Sequence, residues 1–187
     1  TCALPICFSV QVAHAIGAND FDRARHILRQ GITCCLIFSA CLATTGIIIH
    51  RALPYWLGGT ADIASDSSLY FLIFSCAAPL FQLEHLFGSM LKCSGNMKVP
   101  SMLNIMMCFL DVIFNSIFIF ILGFGVVGAA MGTSCAYLVI TSLMGYFLIF
   151  RSDILHLKGR RGSFRPTIST VKAAFGIGAP MGLQHLL

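Results

Sequence analysis

Val99-Pro-Ser-Met-Leu-Asn-Ile-Met-Met-Cys-Phe-Leu-Asp-Val-Ile-Phe-Asn-Ser-Ile-Phe-Ile-Phe-Ile-Leu122 contains a single charged side chain, Asp111. A bilayer core of ~30 Å is crossed by ~20 apolar residues in a helix, and this stretch is long enough to cross once. Its polar residues are not scattered. Asn104, Cys108, Asp111 and Asn115 recur at i, i+4, i+7 and i+11, which places them on one narrow stripe of a helix. The remaining faces are Phe, Ile, Leu, Val and Met. The spacing predicts a membrane helix with a polar seam turned inward and an apolar back.

Comparable stretches lie on either side. Gly31 to Ile49 and Val127 to Phe150 carry no charge, and Ser68 to Leu91 carries only Glu84. Two further apolar segments, Thr1 to Gly17 and the run from about Val171 to Leu187, flank them. Across the chain 57% of residues are apolar and 10% are charged. A soluble domain needs about a quarter of its residues charged, so lipid must solvate much of this surface. The fold class expected is all-α, a polytopic transmembrane helical bundle. The sequence starts without Met inside apolar residues and stops inside a span, which reads as a piece of a longer protein.

The twelve basic residues set the topology. Arg23, Arg25 and Arg29 precede the first full span, Lys92 and Lys98 flank the turn at Gly95, and Arg151, Lys158, Arg160, Arg161, Arg165 and Lys172 follow the last. Only Arg51 falls in an intervening loop. The positive-inside rule then puts 18–30, 92–98 and 151–172 in the cytoplasm, and 51–66 and 123–126 outside. The net charge of +5 belongs to these loops, next to anionic headgroups, and calls for no nucleic-acid partner. Pro54, Tyr55, Trp56 and Gly58-Gly59 suggest a short segment on the outer membrane surface. Asn19 and Asp20 end the first helix after Gly17, with Asp20 placed to cap the next. The nine cysteines, including vicinal Cys34 and Cys35, show neither C-x-x-C nor zinc spacing and read as small core residues. No metalloprotease, nucleophile-elbow or phosphate-loop motif is present, so no enzyme activity or cofactor is expected.

Ionisable groups at membrane depth are costly unless they face protein or water, and they carry the functional expectation. Asp111 and Asn115, one turn apart, offer a carboxylate and an amide oxygen to a small cation such as Na⁺. The same carboxylate could carry a proton instead, or make a polar contact that ties helices together. Gly128-Ala-Ala-Met-Gly132 is a G-x-x-x-G that lets a neighbouring helix approach. The expected neighbour is the Asp111 helix, with Thr133 lending its hydroxyl and Tyr137 one turn further along the same side. Glu84 has Gln82 and His85 beside it and Pro79 upstream. Gln82 and His85 share a face by spacing, while Glu84 points elsewhere and is near enough to the cytoplasmic end to reach the interface. Glu84, Gln82, His85, Asn104 and Tyr137 are candidate cavity-lining residues.

The ordered motifs resemble those of the multidrug and toxic compound extrusion (MATE) family of antiporters. Ser9-Val-Gln-Val-Ala-His-Ala-Ile-Gly-Ala-Asn-Asp20, with Arg23-Ala-Arg and Arg29-Gln-Gly31, is similar to the family's second helix and the turn into its third. Pro79 through Lys92 and Gly95, then Lys98, Pro100 and Asn104, resembles its fourth helix and the entry to its fifth. Ile119 through Gly128-Ala-Ala-Met-Gly-Thr133 is similar to the turn between its fifth and sixth. Ile177-Gly-Ala-Pro-Met-Gly-Leu-Gln184 looks like the start of its seventh. The resemblance implies a twelve-helix, two-lobe, monomeric transporter in the cell membrane, the inner membrane in a bacterium. Residues 1–165 would belong to the amino-terminal lobe and 166–187 to the start of the second. It also implies export of organic cations or drugs in exchange for Na⁺ or H⁺. Members with an amino-terminal-lobe cation site carry Asn and then Asp on helix five, whereas this chain has Asp111 and then Asn115. Thr133 matches the helix-six threonine of that site, and Glu84 falls where Asn is common on helix four. Two other readings are a lipid-linked oligosaccharide flippase of the same superfamily, which should hold basic residues within its spans, and a membrane scaffold without transport.

Overall fold

The computed structural model describes residues 3–56 and 61–151. The expectations for 166–187 and for the basic run 158–172 lie outside the described residues. Helix α1 spans Ala3–Gly17, α2 Phe21–Ile49, α3 Leu53–Trp56, α4 Ala61–Cys93, α5 Lys98–Ser116 and α6 Gly125–Tyr146. Helices α5 and α6 run on into π-helical turns, Ile117–Ile121 and Phe147–Arg151. Among the described residues, four helical stretches are long and apolar enough to cross a membrane: Phe21–Ile49, Ser65–Cys93, Lys98–Ile121 and Gly125–Arg151. Each covers one of the spans expected from the sequence, the third to within one residue at Leu122, and no strand occurs among the described residues.

Helix boundaries follow local chemistry. Asn19 takes a left-handed conformation (φ 57°) that ends α1. Asp20 Oδ1 then accepts from the Arg23 amide at 3.1 Å and caps α2, satisfying one of its free N–H groups. Helix α2 thus begins ten residues before the apolar run at Gly31 and takes up the arginines read as loop. Helix α4 likewise begins inside the stretch read as outer loop, because Ala61 to Ser68 contains no Pro or Gly to stop it. Gly95 (φ 83°) ends α4, and the Asn96 amide reaches back to Leu91 O at 3.2 Å. Between α5 and α6 the chain reverses through Gly123 (φ 69°) and Gly125 (φ 54°), with the Phe124 amide donating to Phe118 O at 3.1 Å.

Helix α4 is the centre of the bundle and packs against α1, α2 and α6. The core joins Phe8 and Val12 of α1, Leu28 and Cys35 of α2, Leu86 and Met90 of α4, and Ile140 and Met144 of α6. Helix α5 packs mainly on α6 and buries only Pro100 and Leu103. Its outer face, with Phe109, Val112 and Phe120 at 68%, 64% and 82% exposure, would be unstable in water and suits lipid. One difference from the sequence reading concerns Arg29. The positive-inside rule puts it in the cytoplasmic loop 18–30, yet it lies within α2 and is 6% exposed. It lies in the third turn of α2, with its guanidinium Nε shielded from solvent.

Candidate functional site

The four seam residues of α5 do not share one environment. Asn104 and Cys108 are exposed, whereas Asp111 and Asn115 are half-buried. Leu103, Met107 and Leu110 turn towards the core, while Phe109, Val112 and Ile113 are exposed on the other side. The seam therefore runs along the flank of α5, between its packed face and its apolar back. At Asp111 and Asn115 one Oδ1 atom each is shielded from solvent and has no hydrogen-bond partner. Leaving such oxygens unpaired costs about 1–3 kcal/mol each, more for a charged one.

Helix α6 supplies the opposite wall. A Cβ built on Gly132 would collide with Asn115 Oδ1 and come within 2.9 Å of the Asn115 amide. One built on Gly128 would lie 2.8 Å from Phe118 O. The G-x-x-x-G thus packs on the Asp111 helix, as its spacing predicts, and holds the amide of Asn115 beside the residue preceding Thr133. Ser134 and Ser142 return their hydroxyls to carbonyls of α6, at 2.7 Å each, and Thr141 donates to Leu80 O of α4 at 3.2 Å. Among the Ser and Thr of α6, the hydroxyl of half-buried Thr133 makes no such bond. Asp111 and Asn115 thus carry uncommitted oxygens along the α5–α6 seam, while Thr133 shares its helix face with Tyr137 and Thr141, which meet α4. Hard oxygen donors of this kind suit a small cation.

The second group, on α4, divides differently from its spacing. Glu84 is 6% exposed, its side chain buried within the bundle. The His85 side chain is 57% exposed, with Nδ1 3.5 Å from Glu84 Oε2. Gln82, half-buried, keeps its Oε1 shielded and unpaired. Helix α4 runs through Pro79 without a break, although Pro79 has no N–H to donate to the Ser75 carbonyl. Tyr137 of α6 meets Phe81 edge-on at 4.3 Å between ring centres, Phe81 meets Phe74 at 4.7 Å, and Phe74 stacks on Tyr70 at 6.2 Å. This aromatic ladder was not anticipated. Its trace in the sequence is the spacing of Tyr70, Phe74, Phe81 and His85 at i, i+4, i+11 and i+15 on one helix face. Thr141, also missed, continues the one-turn series Thr133, Tyr137. Among the described residues no cluster of three His, Cys, Asp or Glu is present.

The fold and the seam define a multi-pass helical membrane protein with its polar groups held at helix–helix contacts. It belongs to the MatE family of membrane transporters, whose family profile matches residues 1–117. Among curated proteins it is 22% identical to multidrug export protein MepA of Staphylococcus saprophyticus, over 94% of this chain and 39% of that protein. It is 27% identical to an FAD transporter of Shewanella oneidensis, over 79% of this chain and 33% of that protein. The chain thus spans less than half the length of the curated relatives it matches. A multidrug resistance MATE family transporter of the MOP superfamily has the same fold in its inward-facing form (TM-score 0.87, 23% identity, 96% of this chain and 40% of that one). Its outward-facing form matches as well (TM-score 0.88, 23% identity, 99% and 41%).

Proposed function

We propose that the protein containing this chain is a secondary antiporter that exports organic cations in exchange for Na⁺ or H⁺. In this reading residues 1–165 form its amino-terminal lobe and 166–187 open the second. The coupling ion sits at Asp111, Asn115 and Thr133. The carrying observation is the pair of shielded, unpartnered oxygens on Asp111 and Asn115, one turn apart at membrane depth. A bound cation or proton relieves the unpaired carboxylate, so the occupied and empty states of the seam differ in energy. That difference is what a transporter needs to link ion entry from outside to rearrangement of the α5–α6 contact and release of cargo.

The charges at mid-span favour a cationic cargo. Asp111 and Glu84 are acidic, and α6 carries no charged residue from Gly125 to Tyr146. The FAD transporter among the relatives makes an anionic flavin nucleotide the alternative cargo. The test is ethidium accumulation in cells lacking their own efflux pumps, with full-length wild type or Asp111→Asn, in the presence and absence of Na⁺. Lower accumulation with wild type but not with the variant, at equal expression, supports both the antiport and the role of Asp111. Normal export by the variant moves the coupling site elsewhere. A wild type that exports FAD but no organic cation replaces the substrate class.

A further inference from the structure

Glu84 has no part in the seam, yet its setting is the more demanding one. It lies nine residues before Cys93, about 14 Å along α4 from that end. A Cβ built on Gly88 would sit 4.0 Å from Glu84 Oε1 and 3.7 Å from Met144 Sδ, so the carboxylate faces the apolar α4–α6 contact. Helix α6 brings no charged group to it, and the hydroxyl of Thr141, which faces α4, is committed to Leu80 O. The titratable groups of α6 are Cys135, Tyr137 and Tyr146, and the charged residues of α2 are confined to Asp22–Arg29. Lys92, two turns along α4, acts on Glu84 only at a distance. The one side-chain partner within reach is the imidazole of His85, on the open face of α4 one turn from Phe81.

We propose that Glu84 is a second proton-carrying site of this half, loaded and emptied through His85. The imidazolium gives its Nδ1 proton to Glu84 Oε2, leaving a neutral imidazole and a neutral carboxylic acid, and the imidazole is then reprotonated from water. The protonated carboxyl fits the apolar contact, and the ionised one does not. Gly132 faces Asn115 and Met144 faces Gly88, so Glu84 lies about one helical turn from the level of Asp111, nearer the Lys92 end and on another side of α6. Its part in transport rests on the antiporter reading. Its protonation rests on the local geometry alone.

The full-length protein in detergent, followed by infrared difference spectroscopy from acidic to alkaline buffer, reads the carboxylic acid directly. A C=O band that remains in Asp111→Asn and is lost when Glu84→Gln is added to that variant is expected. In proteoliposomes, export driven by a pH gradient should fall roughly a hundred-fold in Glu84→Gln, as for loss of a proton-transfer group. The exposed His85→Gln should keep the band and slow export. A band unchanged between Asp111→Asn and the Asp111→Asn, Glu84→Gln double variant, or a Glu84→Gln pH profile like that of wild type, overturns the assignment. If Glu84→Gln does not fold, unchanged pH-driven export by His85→Gln overturns the relay. A wild type that shows the band but exports no cation leaves the proton site standing and removes the antiporter reading.

Discussion

Gly132 and Gly88 show how differently two glycines on neighbouring helices are constrained. At Gly132 any side chain strikes the amide of Asn115, whereas at Gly88 the nearest atom to a built Cβ is 3.7 Å away. Gly132→Ala should therefore destabilise the protein by about 1–3 kcal/mol through overpacking, and Gly88→Ala should not. Thermal melting of the full-length protein in detergent compares them. Because Gly132→Ala pushes on Asn115, it should also weaken ion-coupled export beyond its effect on stability. Thr141 is a milder case. Its bond to Leu80 O links α6 to α4, and Thr141→Val should cost about 0.6 kcal/mol, the average for a hydrogen bond between membrane helices.

At the scale of the element, helix ends depend on single side chains and helix pairs on small ones. Asp20 holds the start of α2 through the Arg23 amide, so Asp20→Ala should cost about 1 kcal/mol, seen as a lower melting temperature. Helices α2 and α4 meet where a Cβ built on Gly46 would collide with Ser75 Oγ and sit 2.8 Å from Ser75 Cβ. Gly46→Leu should part these helices and lower folded yield on expression, while Leu at lipid-facing Ile48, 75% exposed, should have no effect. These close contacts were partly legible. The G-x-x-x-G at Gly128 and Gly132 announced one of them, but Gly46 stands alone among Thr and Ile, and only the packing of α2 on α4 reveals its partner.

For the whole molecule, one core runs through α1, α2, α4 and α6, and such a packed unit is expected to move as one body. Spin labels at exposed Ile37 of α2 and Phe109 of α5 should keep one separation whichever ion or cargo is present, measured by pulsed electron resonance on the full-length protein. Distances from either label to the second half should change. The topology read from the basic residues is tested separately. Cysteine introduced at Ser94, in a background without the native cysteines, should resist a membrane-impermeant thiol reagent applied outside, and cysteine at Gly123 should react. The reverse pattern would invert the molecule in the membrane.

The sequence by itself determined the class, the spans and the family. Apolar runs of membrane length, basic residues in alternate loops and ordered motifs are properties of the chain read in one dimension, and lipid enforces them whatever the helices do next. It also singled out Asp111, Asn115 and Thr133 as candidate oxygen donors, because periodicity assigns residues to faces. Only the tertiary structure decided how those faces are used. Burial depends on which helix lies opposite, so it exposed Asn104 and Cys108 while shielding oxygens of Asp111 and Asn115 in the same seam. For the same reason it turned Glu84 into the α4–α6 contact and left His85 on the open face beside it. Adjacent residues of a helix point about 100° apart, and the neighbours that fill those directions come from segments far away in sequence.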